Sequence, residues 1–164
     1  MNDKAPPPQS LEQEDFLSMP GHFLRRCHQI GVAIFLDECR AFDLTPLQFS
    51  VLAALERFGP MDQVSLGGAT ALDRTTVVVV VDKLDARGFV TRTQSSKDRR
   101  FKIVVITEEG RALLDRALPS VHMAQSRLLA PLSLQERAQL VHLLAKMAEE
   151  NNASSRAPYR PPRN

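Results

Sequence analysis

The 164-residue sequence has few cysteines, little net charge and no long apolar run. Cys27 and Cys39, without further cysteines or a histidine at ligand spacing, do not make a zinc site, so we expect neither metal nor cofactor. No apolar stretch reaches the roughly 18 residues of a membrane span. The first residues lack a secretory pattern, which predicts a cytoplasmic chain with reduced thiols. A net charge of +2 does not identify a partner.

A recognisable catalytic arrangement is also missing from the sequence. Neither cysteine lies in a nucleophile motif, and there is no glycine-rich phosphate loop. His122 and His142 lie among apolar residues of helical segments. A Cys/His hydrolase, the rival class, has no residues that converge into a site, so we expect no enzymatic activity.

Composition divides the chain into a folded centre and two tails. Residues 1–17 carry a proline triplet and scattered charge, and residues 151–164 are rich in proline and arginine. Both segments are predicted to be mobile, as an N-terminal arm and a C-terminal tail. The length corresponds to roughly one domain.

Helix signals are dense between the tails. A first helix is predicted from about Pro20 to Ala41. A second helix begins at Thr45, which forms a capping box with Gln48, while Pro46 suits the first helical position. It should end near Gly59. Apolar residues recur in the first helix at three and four positions and form one stripe that should be buried: Phe23, Cys27, Ile30 and Ile34.

The five consecutive valines 77–81 suit either a strand or a helix. Valine is at most ~0.7 kcal/mol worse than alanine per helical residue, so the run opposes a helix by about 3 kcal/mol. Burying each valine or leucine gives roughly 1.5 to 3 kcal/mol. Asp73 is a good N-cap and Gly88 a typical helix-ending glycine. After a shorter helix over Val64–Leu72, we therefore predict a helix over residues 74–87 with one buried face: Val77, Val80, Val81 and Leu84.

Two β-rich runs follow the valine helix. FVTRTQ and FKIVVIT flank the segment SSKDRR, which predicts a hairpin with a charged tip. Helix, short helix, helix and basic hairpin in this order make a winged helix-turn-helix, whose valine-rich helix can enter a major groove. Residues 73–102 carry eight Lys/Arg and four Asp, whereas the rest of the chain has 13 basic and 15 acidic residues. This local excess suits a phosphate-facing patch.

The last third of the chain predicts two more helices. Thr107 can cap a helix with an acidic first turn, which Pro119 should bend. Ser133 and Glu136 form a capping box for a final helix. That helix carries an apolar face, which suits an interface: Leu140, Leu143, Leu144 and Met147.

The segment LDRTTVVVVVDKLDARGFVTRTQSSKDRRFKIVVITEEG resembles the recognition helix, wing and following helix of the MarR family of bacterial regulators. The resemblance runs from about Pro20 to Glu150. It implies a mainly α fold with a small β-hairpin (α+β). A winged helix-turn-helix would span 45–106, and 18–44 with 107–150 would form an intertwined dimerisation region. The sequence departs from many members at Val78 and Val79, where polar base reading gives way to methyl contacts and DNA shape.

The resemblance implies a homodimer that reads a near-palindrome in double-stranded DNA, with half-sites ~34 Å apart. Threonine hydroxyls and the methyl groups of threonine and valine suit base edges. Arg100 at the wing tip would enter a narrow minor groove, oriented by Asp98. The candidate DNA contacts are Arg74, Thr75, Thr76, Val78, Val79, Lys83, Lys97, Asp98, Arg99 and Arg100.

The resemblance also implies an effector bound between the winged domain and the dimer helices. It suggests a repressor of a catabolic or efflux operon that an aromatic or heteroaromatic carboxylate releases. Arg26 lies about 70° from the centre of the apolar stripe, with His22 on the same flank and His28 at the other edge. For Arg26 an interhelical salt bridge, and for His22 a plain surface position, are the alternatives. The candidate ligand-binding residues are His22, Arg26, His28 and Phe49.

Two other functions stay open. A redox-sensing regulator could use Cys27, because the neighbouring Arg26 and His28 favour a reactive thiolate. The centre of an apolar stripe instead suits a buried, inert thiol. A ligand-independent DNA-binding protein would show little sequence preference and a steep salt dependence.

Overall fold

The computed structural model describes residues 16–94 and 102–162. In these ranges the six helices and the hairpin follow in the predicted order, and a short strand that the sequence did not predict, β1, adds a third strand to the sheet. The predicted fold class, mainly helical with a small β-hairpin, is confirmed. The helices and strands are α1 (Pro20–Glu38), α2 (Pro46–Phe58), β1 (Met61–Asp62), α3 (Gln63–Thr70), α4 (Arg74–Ala86), β2 (Val90–Gln94), β3 (Lys102–Ile106), α5 (Glu108–Leu128) and α6 (Leu134–Glu150).

Side-chain caps begin most of these helices where the sequence predicts them. The Gln48 amide donates to Thr45 Oγ1 at 3.3 Å, and Gln48 Oε1 accepts from the Thr45 amide at 3.0 Å. Ser133 and Glu136 form the same reciprocal box at α6. Because a cap satisfies amides that the helix leaves free, such positions are local signals that a sequence reports well.

The valine run is one helix, α4, as predicted. Its four inward side chains are at most 6 % exposed. The Phe89 amide donates to the Leu84 carbonyl at 2.9 Å and Gly88 has φ +75°, so glycine ends the helix in the left-handed region. Burial of this face outweighs the weak helix propensity of valine. The face consists of Val77, Val80, Val81 and Leu84.

The wing is a three-stranded antiparallel sheet in the order β1–β3–β2. Val90 pairs with Ile106 and Gln94 pairs with Lys102, so β2 and β3 run in register. The Thr107 hydroxyl, which caps α5, also donates to the Gly88 carbonyl at 2.7 Å. This bond joins the end of α4 to the start of α5 across the sheet.

One core holds the winged domain together. It is built from α2, α3, α4, the sheet and α5. Phe35 of α1 and Cys39, the C-cap of α1, add to it and are 5 % and 0 % exposed. Burial raises the pKa of the Cys39 thiol. Two arginines of α5 form ion pairs with other helices: Arg111 with Glu56 of α2 at 2.8 Å, and Arg127 with Asp37 and Glu38 of α1 at 2.7 and 2.6 Å.

Three of the four residues of the apolar stripe predicted on α1 are not buried within the chain, whereas Ile34 is partly buried against the core. Phe23 is 49 % and Ile30 46 % exposed, and Cys27 is exposed as well. The prediction that Cys27 is a buried core thiol is therefore wrong for the single chain. The physical reason is rotation: Phe35 and Cys39 face the core, and the stripe lies about 130° around the helix from them at 100° per residue.

The final helix also keeps its apolar face open. None of the residues of α6 is buried by the rest of the described chain. Leu143, Leu144 and Met147 of the predicted apolar face are 48 %, 41 % and 46 % exposed. Such a face on an isolated helix is typical of a surface that another molecule covers.

The segment after α6 has defined contacts up to residue 162, unlike the mobile tail predicted for 151–164. Asn152 Nδ2 donates to the Tyr159 carbonyl at 3.0 Å, and Asn152 Oδ1 accepts from the Tyr159 amide at 2.7 Å. The Arg160 amide donates to the Gly68 carbonyl of α3 at 2.7 Å. Two asparagine bonds close this segment into a loop, and a backbone bond fastens it to α3. Composition misses this order, since it depends on the placement of α3.

Candidate nucleic-acid interface and adjoining cavity

The burial of one face of α4 decides which residues the helix presents outward. Arg74, Thr75 and Lys83 are exposed, Val79 is 47 % exposed and Val78 is half-buried. The exposed side therefore offers two cations, a hydroxyl and several methyl groups. These are the groups that contact phosphates, base edges and the thymine methyl group.

Thr76 belongs to the cap of α4. Its amide donates to Asp73 Oδ1 at 3.0 Å and its hydroxyl donates to Asp73 Oδ2 at 2.8 Å. These two bonds lower the pKa of the Asp73 carboxyl below its ordinary value. The Thr76 hydroxyl proton is thus occupied, whereas Thr75 beside it is exposed.

Arg92 ties the wing to α4, and the sequence did not single it out. Its guanidinium pairs with Asp82 and, at 3.1 Å, with Asp85, both on α4. Two carboxylates three residues apart on one helix face an arginine on β2. The D-x-x-D spacing in α4 was the available signal. This contact fixes the direction in which β2 leaves the recognition helix.

The wing tip lies outside the described residues. The candidate contacts Lys97, Asp98, Arg99 and Arg100 all fall between residues 95 and 101, so their roles stay predictions. The structure gives the two strands that lead into and out of this segment, paired up to Gln94 and Lys102.

A cavity of about 550 Å³ lies between α1, the start of α2 and the recognition helix. Its walls are mostly apolar, with a few polar groups at defined points. Helix α4 contributes five of the twelve lining residues. The lining residues are, from α1, His28, Val32 and Leu36, from the start of α2, Thr45, Pro46, Leu47 and Gln48, and from α4, Thr75, Thr76, Val79, Val80 and Lys83.

The four candidate ligand-binding residues are not brought together in the single chain. His28 lines the cavity. Phe49 is half-buried and packs on Phe35 with ring centroids 6.0 Å apart. His22, near the start of α1, lies edge-on to Phe16 and Phe23. Arg26 is exposed. The sequence missed Lys83 as a cavity residue, because only tertiary packing turns that flank of α4 toward α1.

Arg87, at the end of α4, bonds to the segment that joins α1 to α2, two helices that line the cavity. This residue was not selected from the sequence. Its guanidinium donates to the carbonyls of Phe42 and Asp43 at 3.0 and 2.6 Å. The same group stacks over the Phe89 ring at 4.8 Å from the centroid. The end of α4 is thereby fixed to the connection between α1 and α2.

Residues 16–94 and 102–162 contain neither a metal-binding cluster nor a single membrane-spanning helix. No group of three or more His, Cys, Asp or Glu side chains there is placed to hold a metal ion. No single helix in these ranges has the length and hydropathy of a membrane span. Helices α3 and α4 reach those values only as a pair, and they are bent by 105°.

The three-helix unit α2–α3–α4, followed by an antiparallel wing and carrying an exposed, partly cationic recognition helix, defines a winged helix-turn-helix DNA-binding protein. The model of the MarR family matches residues 44–102, which span this unit. The chain is 36 % identical over 137 residues to the HTH-type transcriptional repressor NicR of Pseudomonas putida, covering 84 % of this chain and 87 % of that one. The chain belongs to the MarR family and is a transcriptional regulator of that type.

Solved structures agree with this assignment. A structure of BpsR from Bordetella bronchiseptica, described as a mechanism for regulation of DNA binding by 6-hydroxynicotinic acid, is 36 % identical with a TM-score of 0.79. It covers 82 % of this chain and 96 % of its own. The repressor CouR, bound to a 23-mer DNA duplex, is 33 % identical with a TM-score of 0.76, covering 81 % and 94 %.

Proposed function

We propose that this protein is a homodimeric repressor that binds a near-palindromic operator and is released by a small aromatic or heteroaromatic carboxylate. The observation that carries the proposal is that α4, the helix with the proposed DNA contacts Thr75, Val79 and Lys83, also lines the 550 Å³ cavity. A molecule in the cavity therefore acts on the DNA-reading element directly.

The dimer is supported by the two open apolar faces. The stripe on α1 and the face of α6 leave large side chains such as Phe23, Ile30 and Leu144 nearly half exposed. Contiguous apolar surface of this kind marks an interface in a protein that dissolves in water. Two copies that cover these faces would also set the separation of two recognition helices, which a palindrome requires.

The effector class is supported by the size and lining of the cavity. A volume of about 550 Å³ lies within the range of roughly 300–1,000 Å³ for small-molecule sites. Val32, Leu36 and Val79 offer apolar contact to a ring. Lys83 supplies a cation for a carboxylate, and His28 supplies a second polar group. BpsR, a relative of this chain, is regulated by such a compound, 6-hydroxynicotinic acid.

Release follows from linkage between the two binding events. The proposed effector and the proposed operator both contact α4, so occupation of the cavity and seating of α4 in the major groove are not independent. If the acid weakens DNA binding by a given factor, DNA must weaken binding of the acid by the same factor. Arg92 of β2 is paired with Asp82 and Asp85 of α4, so the contact predicted for Arg100 at the wing tip would also depend on the position of α4.

The test is a titration with both partners. An operator duplex is selected from random-sequence DNA with the wild-type protein, and its affinity is measured by fluorescence anisotropy with and without 6-hydroxynicotinic acid. We expect lower DNA affinity with the acid, and Lys83→Met to weaken acid binding measured by calorimetry without DNA. The same calorimetric measurement on Arg26→Met tests whether Arg26, the arginine predicted to bind the carboxylate, contributes to acid binding. Binding of the acid with no change in DNA affinity would contradict the proposal.

A redox function through Cys27 is the second candidate, because the thiol is exposed in the chain. Peroxide should then weaken DNA binding of the wild type and leave Cys27→Ser unaffected. An equal response of both proteins would remove this candidate. The proposal assigns no catalytic role to any residue, in keeping with relatives named as transcriptional regulators.

A further inference from the structure

A second cleft, of about 500 Å³, lies between the helix-turn-helix and the C-terminal segment. We call residues 152–162 the C-terminal strap. On one side the cleft is lined by the start of α3, the turn between α3 and α4, and the first residue of α4; on the other side it is lined by residues of the strap between 156 and 162. Three arginines line it, Arg74 from α4 and Arg156 and Arg160 from the strap.

The charge of this cleft is positive and largely unpaired. Asp73 is the one carboxylate among its lining residues, and both oxygens of Asp73 already accept from Thr76. Across the described ranges, Arg74, Arg156 and Arg160 form no ion pair shorter than 4 Å. Three guanidinium groups therefore line one cleft with a single carboxylate, Asp73, whose charge interacts with that of Arg156. The net charge of the lining stays positive, which suits a polyanion.

The strap is seated closely enough to hold these arginines in place. A Cβ at Gly68 would lie 2.9 Å from the Arg160 carbonyl oxygen and 3.3 Å from its Cβ, so this contact needs glycine. The Arg160 amide donates to the Gly68 carbonyl at 2.7 Å, and Asn152 clamps the Tyr159 backbone. The strap is thus held by bonds that do not use its arginine side chains, and these can donate to another partner.

The position of the cleft indicates which polyanion it meets. In a helix-turn-helix, the helix before the recognition helix crosses the DNA backbone, and the first residues of the recognition helix enter the groove. The cleft lies at the junction of these two helices, α3 and α4. Phosphates next to the bases read by α4 would pass this junction.

We propose that the C-terminal strap is part of the DNA-binding surface, and that Arg156 and Arg160 contact phosphates beside the segment read by α4. This inference rests on DNA recognition by α4 in the proposed function. It adds a third element to the recognition helix and the wing. Contacts to phosphates position the protein and strengthen binding to every sequence equally.

The experiment neutralises the two side chains in the full-length protein as Arg156→Gln/Arg160→Gln. Affinity is measured by anisotropy over a series of salt concentrations, on the selected operator and on a random-sequence duplex of about 30 base pairs, enough for two half-sites one turn apart. Each lost phosphate contact should lower the slope of log K against log salt by about 0.9, and lower affinity roughly eightfold near 0.1 M salt. Both duplexes should lose affinity by the same factor.

Two control variants separate contact from structure. Arg25→Gln removes the same charge from exposed α1, where Arg25 bonds Gln29, and should leave the slope unchanged. Gly68→Ala keeps both arginines but displaces the strap, and should weaken binding in the same direction as their neutralisation. Thermal unfolding of each variant checks that the winged domain stays folded.

The outcomes distinguish a phosphate contact by the two arginines from a purely structural role of the strap. A double variant that binds like Arg25→Gln would overturn the inference. So would a loss confined to the operator with an unchanged salt slope, because the strap would then act only by positioning α4. Failure of the wild type to bind either duplex would instead contradict the proposed function.

Discussion

The apolar residues of the winged domain are buried within the chain, whereas those on the outer part of α1 and on α6 are not. In α4, four apolar side chains point inward and the same chain covers all of them. On the outer part of α1 and along α6, equally regular apolar faces stay open. In both regions the periodicity of apolar residues predicts which helix face is buried. It does not predict whether the same chain or a second molecule buries that face.

The largest expected effect is in the winged core. Leu84→Ala should lower the free energy of unfolding by roughly 2–5 kcal/mol, because Leu84 is 0 % exposed and truncation leaves a cavity. Urea unfolding followed by circular dichroism measures this loss. Val79→Ala on the exposed side of α4 is the matched control and should change stability by about 0.5 kcal/mol or less. Equal losses of stability in both variants would contradict the conclusion that one face of α4 is buried and the other is exposed.

Substitution on the exposed apolar face of α6 should change the oligomeric state of the protein. Leu144→Glu puts a charge on the 41 % exposed apolar face of α6 and should convert a dimer into a monomer with a folded winged domain. Sedimentation equilibrium measures the change, and apparent stability should lose its dependence on protein concentration. Gln139→Glu adds the same charge at an exposed polar position of α6 and should leave the assembly intact. A wild type that is already monomeric would refute the proposed dimer.

The two cysteines report on the two regions. In the Leu144→Glu protein, Cys27 should react rapidly with Ellman's reagent, whereas Cys39 should react only on unfolding, since it is 0 % exposed and burial raises the pKa of its thiol. In the wild type, a partner that covers the α1 stripe should slow the reaction of Cys27. Cys27→Ser identifies the fast thiol. Equal rates for both thiols in the folded Leu144→Glu protein would contradict the fold of α1.

The smallest effect concerns the charge of the α4 cap. Hydrogen bonds from Thr76 lower the pKa of Asp73 in the folded protein, so its ionised form stabilises the fold above its unfolded pKa of about 4, and this contribution is lost as the pH falls through the folded pKa. The Tm difference between the wild type and Asp73→Asn should therefore be largest at neutral pH and vanish in acid. Asp115→Asn, at an exposed site, should show no such trend. A difference independent of pH would mean that the charge does not matter.

Much of the fold could be predicted because its signals are local. The capping boxes at Thr45 and Ser133, the cap at Asp73 and the glycine at position 88 satisfy backbone groups within a few residues. The valine run needed an energetic comparison, but both of its terms belong to the residues of one helix. The candidate DNA-facing residues of α4 follow from the same periodicity.

The environment of each face was decided only by tertiary structure. The sequence by itself determined the positions of the helices, the wing and the apolar stripes. It did not determine that α1 turns most of its stripe away from the core, that Lys83 and His28 line one cavity, or that Gly68 contacts the strap. Such contacts join residues far apart in the chain, and their geometry depends on how whole helices pack, which no pattern of neighbouring residues encodes.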